Sequence, residues 1–566
     1  MDMYPLGIHK FFLNNQNLIT AIEENNMLNK ISHKKIRALI CSIIMALGHI
    51  PISYGVVIPN DIQLAEKQEI VRNNGADPVS LDIAKAESNI AMNIINDFFD
   101  TLVGTDKQGH IIPKLAVSWE TKDNKTWVFH LRKGIKWSDG TPITANDVVF
   151  SWRRLTDPKT HSPYGSYFVD ASVMNAKAIL AGKKKVEALG VKALNDSTLE
   201  VTLEKPVGYF LHMLSFNITS PISEKAVEKQ GDKWTQPEFF VSSGAFKLAE
   251  WKINEKIVGV RNPYYWDDKN TVINKVTYLS LSSDTSDLNR YLAGEIDITL
   301  TIPIDYFASL KKKIGSQIHI SPILATYYYA FNNKKPLFND IRVRQALNLA
   351  LDRDIIANKI IAQGQIPAYT FLPPGIGGFK FKQPDYASWT QEQRNAKARQ
   401  LLSEAGFNKE HPLSFNLLFN TSNSQKKIII ATTAMWKKNL GVIANMKAEE
   451  WKVMLDHERQ GKFDVARSGW VGVYNNPMSF LQILKTNQTN NLSLYTNKNF
   501  DNWLDKAGET NNQEDFQQAL DILEKDIPII PVYHPITAVL VKPYIGGYYS
   551  DLMGRVSTKD LYVIKH

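Results

Sequence analysis

At 566 residues the chain exceeds what one hydrophobic core supports, since single domains rarely grow past about 250–300 residues. Two or three domains are expected. A composition 44% hydrophobic and 22% charged belongs to an ordinary globular protein and excludes a disordered or membrane-embedded one. The net charge of +9 is spread along the chain without a run of five Lys or Arg, so no nucleic-acid partner is indicated.

From Met27 the sequence "MLNKISHKKIRALICSIIMALGHIPISYG" sets Lys30, Lys34, Lys35 and Arg37 before the apolar stretch Ala38–Leu47, followed by small and turn residues. That is the charged and short apolar part of a secretory signal, well below the roughly 20 apolar residues a bilayer span needs. We therefore expect 1–26 to be a non-native upstream extension and 27–55 a signal peptide cleaved near Gly55. The only cysteine, Cys41, would leave with the signal, and Leu39 and Ile40 before it do not suit a lipid anchor. The remaining chain would hold 61 Lys/Arg against 54 Asp/Glu, or +7, with no thiol chemistry.

Further along, Thr126–Leu131 ("TWVFHL") and Ser197–Leu203 ("STLEVTL") alternate like half-buried strands. In "TANDVVFSWRRL" the Thr144/Asp147 spacing predicts a capping box, with Val148, Trp152 and Leu155 on one helix face. "TQEQRNAKARQLLSEAG" pairs Thr390 with Gln393 and stops at Gly406, a second helix with both ends marked. Near the end, Phe516, Leu520 and Leu523 share a helix face before the apolar strand "IPIIPVY". Strands and helices interleaved without a repeat predict an α/β, mixed α+β, architecture.

No G-x-S-x-G elbow, H-E-x-x-H helix or P-loop is present. "LDHERQG" has His457 and Glu458 but no second histidine, so His457 is assigned to a helix surface. His534 in "PVYHP" is either a packed histidine or a ligand contact. In "TYYYAFNN" strand alternation puts Tyr327 and Tyr329 on one face and Tyr328 on the other, either as core or as an aromatic wall. No metal, cofactor or catalytic constellation emerges.

One loop stands apart. "RSGWVGVYNNP", Arg467–Pro477, gathers a cation, two glycines and two large aromatics. Together with "WVFHLRKGIKWSDGTPITANDVVFSW", "GVKALNDSTLEVTLEKPVGYF", "RYLAGEIDIT", "WKKNLGV" and the closing "LYVIKH", it resembles the periplasmic oligopeptide-binding proteins of peptide ABC transporters. "TYYYAFN" and "MWKKNLGV" also resemble the related murein tripeptide binders. The resemblance runs from about residue 62 to His566. It implies a two-lobed periplasmic binding protein with an extra third domain. Lobe I would be 56–98, 223–324 and 537–566, the extra domain 99–222, and lobe III 325–536. Two crossing segments near 324 and 536 would form the hinge. Closure would bury a short peptide held as an added strand, and the closed protein, a soluble periplasmic monomer without catalytic activity, would deliver it to a membrane permease.

The resemblance also implies ligand contacts at Glu87, Tyr164, Tyr328, Trp451, Leu455, Arg467, Ser468, Gly469, Trp470 and Val473. The last departs from the family, which has an aspartate there for the peptide amine. An unpaired ammonium left in an enclosed site costs roughly 3–5 kcal/mol. Ile361 and Gln425 replace a lysine and a histidine, Glu458 an arginine, Ala330 a glutamate and Pro535 a tyrosine. Ala325 and Val471 stand where the oligopeptide binders have a disulfide. Two accounts follow: peptides still bind with Glu87 or Glu458 holding the amine, or the ligand is a modified, blocked, murein-derived or less charged molecule. Loss of function, a hydrolase on the same frame and a chaperone-like use of the cleft are the rivals.

Overall fold

The computed structural model describes residues 58–566 apart from 87, 422 and 489. The expected signal, Cys41 and Glu87 lie outside the described residues. Among those described, no helix is long and apolar enough to cross a membrane, and Val56–His566 form one compact unit.

In chain order, β1 (Glu69–Asn73) is followed by β2 (Ala116–Thr121) and β3 (Thr126–Leu131), then helix α1 (Ala145–Thr156). Strands β4 (Val191–Asn195) and β5 (Thr198–Thr202) complete an antiparallel sheet of order β2–β3–β5–β4. Its buried positions alternate as the sequence predicts, with Trp127, Phe129 and Leu131 inward. The capping box of α1 is formed: Thr144 N–H donates to Asp147 Oδ2 at 2.8 Å. A meander of β6 (Phe246–Lys252), β7 (Lys256–Arg261) and β8 (Lys275–Leu279) joins β1 in a second sheet, order β1–β8–β7–β6.

Strand β9 (Ile318–Pro322) pairs antiparallel only with β16 (Ile536–Leu540), residues 218 positions apart from Ile318 to Ile536. Between them lies the third sheet. It contains β10 (Ala325–Phe331), β11 (Ile366–Pro367), β12 (Ser414–Asn420), β13 (Ile443–Glu449), β14 (Val465–Val471) and β15 (Ile529–His534), in the order β11–β15–β10–β14–β12–β13. Helices α2 (Gln391–Glu404), α3 (Asn423–Leu440), α4 (Trp451–Arg459) and α5 (Gln513–Asp526) accompany it. The predicted capping box at the start of α2 is present, with Thr390 N–H donating to Gln393 at 2.8 Å.

Strand β10 is buried at all seven positions, because both faces of this sheet are covered. Tyr327 and Tyr329 belong to one core cluster with Trp436 and Tyr533, and Tyr328 and Ala330 to the other. The alternation expected of the three tyrosines is therefore realised, as core on both faces. Tyr327 stacks on Tyr533 at 4.7 Å between centroids, and Tyr328 meets Phe371 edge-on at 5.4 Å.

Candidate functional site

The site is built around β14. Over its whole length this strand pairs antiparallel with β10, Ala325 opposite Val471 through Phe331 opposite Val465. On its other side β12 pairs with it in parallel at two positions only, Leu417 with Val465 and Leu418 with Ala466. From Arg467 to Val471 the outer edge of β14 has no strand partner among the described residues. Gly469 and Val471 are exposed there, although β10, the strand that pairs with them, is buried throughout. An extended backbone edge with unused donors and acceptors accepts another strand.

Buried polar atoms without a partner gather at the start of this edge. They are Tyr327 Oη, Asn420 Oδ1, Gln425 Oε1, Glu458 Oε1 and Arg467 Nε, five of fourteen such atoms among the described residues. The topology explains the grouping. Asn420 ends β12 just past its pairing with β14, Gln425 is in the first turn of α3 that follows, and Tyr327 and Arg467 share a sheet face. Native interiors leave few polar groups unpaired; Tyr327 and Arg467 also interact with each other, and the grouping marks a polar pocket beside the edge.

Two of these residues carry charge. The Arg467 guanidinium lies over the Tyr327 ring, 4.9 Å from its centroid, and makes no ion pair among the described residues. Glu458 is 2% exposed. On α4 it is one turn beyond Met454, which packs in the cluster of Tyr328, Ala330 and Ala466. Burial pushes its carboxyl up to about 7, opposed by the charges of Arg467 and Arg459. Burial also raises the Tyr328 hydroxyl to about 12, opposed by Ser468 and Arg467 and reinforced by Glu458. Arg467 and Glu458 thus approach the edge from opposite faces of the sheet.

The other end of the edge is different. Gly472 N–H bonds to Leu324 O at 2.8 Å, Val473 N–H to Ser479 Oγ at 2.9 Å and Trp470 Nε1 to Ser479 O at 2.6 Å. A Cβ on Gly472 would meet the Phe480 ring at 2.7 Å, so glycine is required by packing. Val473 lines a cavity of about 10 Å³ with Asp106, Asp551 and Arg555, room for about one water. Both carboxylates are already satisfied. Arg555 binds Asp551 at 2.8 Å, and His110 Nδ1 lies 3.0 Å from Asp106. Among the described residues that line this cavity, no carboxylate is without a partner.

Of the residues expected to contact ligand, Arg467, Ser468, Gly469 and Trp470 form the edge itself, Tyr328 pairs with Ser468 across the strand, Glu458 lies within reach of the Arg467 charge, and Val473 lies just past the edge. Trp451 opens α4 and is 47% exposed. Tyr164 lies edge-on to Phe216, 5.9 Å away, in a separate aromatic group. Ile361 is packed in the second core cluster and Ala330 is fully buried opposite Ala466. Pro535 joins β15 to β16. His534 is the packed histidine: its Nδ1 is 3.0 Å from Thr326 Oγ1, and burial holds it down to about 4. His457 sits on α4 as expected, with Nδ1 2.7 Å from Glu449. Asn420 was not foreseen, because only the pairing register sets it beside the unpaired edge.

Comparison with known proteins agrees with this arrangement. Residues 110–491 match the bacterial extracellular solute-binding proteins, family 5, middle region. The periplasmic oligopeptide-binding protein OppA of Salmonella typhimurium is 50% identical over 515 residues, 90% of this chain and 95% of that one. The murein tripeptide-binding protein MppA in its unliganded open form superposes with a TM-score of 0.80 at 40% identity, covering 90% of this chain and 99% of the other. Haemophilus influenzae OppA in complex with RPPGFSPFR gives 0.75 at 42% identity, covering 89% and 100%.

Proposed function

Since the chain belongs to the bacterial extracellular solute-binding proteins, family 5, we propose that it is the substrate-binding component of a peptide ABC importer. It captures short peptides in the periplasm and delivers them to a membrane permease, acting as a soluble monomer without catalysis. The observation that carries this reading is the unpaired edge of β14 from Arg467 to Val471. A peptide laid along it gains backbone hydrogen bonds whatever its side chains, which suits a binder of mixed peptides. Five strand residues span about 13 Å, the reach of three to four ligand residues.

In this proposal β9 and β16 are the two crossing segments of the hinge. Lobe I comprises 56–98, 223–324 and 537–566, the extra domain 99–222, and lobe III 325–536. Ligand contacts to both lobes favour the closed form. Residues 27–55 direct export.

A second reading is favoured by Val473 and the paired state of Asp106 and Asp551: the preferred peptide has no free ammonium at that end, being blocked, modified or murein-derived. Native mass spectrometry of protein purified from a periplasm, with the co-purified molecule identified after denaturation, tests both. A spread of short linear peptides supports the first reading, and one blocked or modified mass the second. A single non-peptide mass would overturn both.

A further inference from the structure

The two ends of the unpaired edge differ in charge, and that difference specifies a ligand. At the Val473 end Asp551 is paired with Arg555 and Asp106 is hydrogen-bonded to His110. At the Arg467 end a guanidinium without an ion pair and a buried carboxylate with an unpartnered Oε1 stand on opposite faces of the strand. No cation among the described residues is within ion-pairing distance of Glu458. Arg467 and Arg459 act on it only from beyond that distance, so a cation brought into direct contact stabilises its charged form further.

A peptide added antiparallel to β14 places its amino end near Val473 and its carboxyl end near Arg467. In an extended terminal residue the side chain and the carboxylate leave the backbone in different directions, matching two charged groups on opposite faces. We infer that the Arg467 end is a two-charge subsite. Arg467 takes the terminal carboxylate and Glu458 takes a cationic side chain on the same residue, so the protein selects short peptides ending in a basic residue. This rests on the peptide-binding function proposed above and names the ligand class within it. Gln425 and Asn420, each with an unpartnered buried oxygen, offer further acceptors to the same ammonium.

The test is calorimetric titration of the exported chain with N-acetyl-Ala-Ala-Lys, N-acetyl-Ala-Ala-norleucine and the C-terminal amide of the lysine peptide. The lysine peptide is expected to bind about ten- to a hundredfold tighter than the norleucine peptide, and the amide to lose a similar factor. Glu458→Gln should erase the lysine preference, and an unchanged circular dichroism spectrum shows that the variant is folded. Arg459→Gln, at an exposed side chain, should preserve the preference. Equal affinity for lysine and norleucine peptides, or a lysine preference that survives Glu458→Gln, overturns the subsite while leaving the peptide-binding function intact. If none of the three peptides, nor their free-amine counterparts, binds at all, the function itself fails and the subsite with it.

Discussion

Glu458 shows how one side chain can be a liability until its ligand arrives. Its carboxyl, held near 7 by burial against an ordinary value of 4.5, binds a proton more tightly in the folded than in the unfolded chain. Stability is therefore lost as pH rises from about 4.5 to about 7. Arg467 on β14, Arg459 on its own helix and the Tyr328 hydroxyl on β10 are the charged and titratable groups around it. Glu458→Gln should leave stability unchanged near pH 4.5 and raise it by about 3 kcal/mol at pH 8. Urea unfolding at the two pH values measures this, and a pH-independent difference would refute it. Val473 is the complementary case. Val473→Asp should raise affinity for free-amine tripeptides by tenfold or more, because a buried ammonium then gains a partner. Calorimetry with Ala-Ala-Ala checks it, and no gain would mean that the amine is held elsewhere.

At the scale of elements, the unpaired edge of β14 arises because β12 leaves it after two residues. If that edge binds ligand backbone, peptides N-methylated at a central amide should each lose about 0.5–1.5 kcal/mol of binding per donor removed. Equal binding of methylated and unmethylated peptides would exclude strand addition. The register of β10 on β14 makes a second prediction. Ala325 and Val471 are directly opposite, so the pair Ala325→Cys, Val471→Cys should oxidise readily. It should stabilise the fold by about 2–4 kcal/mol, seen as a higher melting temperature that dithiothreitol reverses. Several elements were legible beforehand because their signals are local. The capping boxes at Thr144 and Thr390 and the alternation in Thr126–Leu131 each depend on residues within one turn or one strand. By contrast, the burial of Ile361 and Ala330 depends on distant packing partners, which no local pattern reports.

For the whole molecule, β9 and β16 connect the third sheet to the rest of the chain by a single antiparallel pair, and that narrow connection is where bending would concentrate. A bound peptide should therefore both compact the protein in solution scattering and stabilise it, by about 2.7 kcal/mol at a hundredfold excess over Kd. Stabilisation without compaction would argue against closure.

By itself the sequence determined the family and the mixed α/β architecture, since motifs such as Arg467–Pro477 are written in consecutive residues. Only the tertiary structure decided which of those residues meet. The charge asymmetry of the site depends on the buried Glu458 of α4 lying within reach of the Arg467 charge, and on Asp551 being paired with Arg555. The Asp551–Arg555 and Asp106–His110 contacts each span only four residues, but the fold alone brings Asp106 and Asp551 from opposite ends of the chain to line one cavity with Val473. The strength of a charge in a protein interior depends on what surrounds it, and the surroundings exist only once the chain has folded.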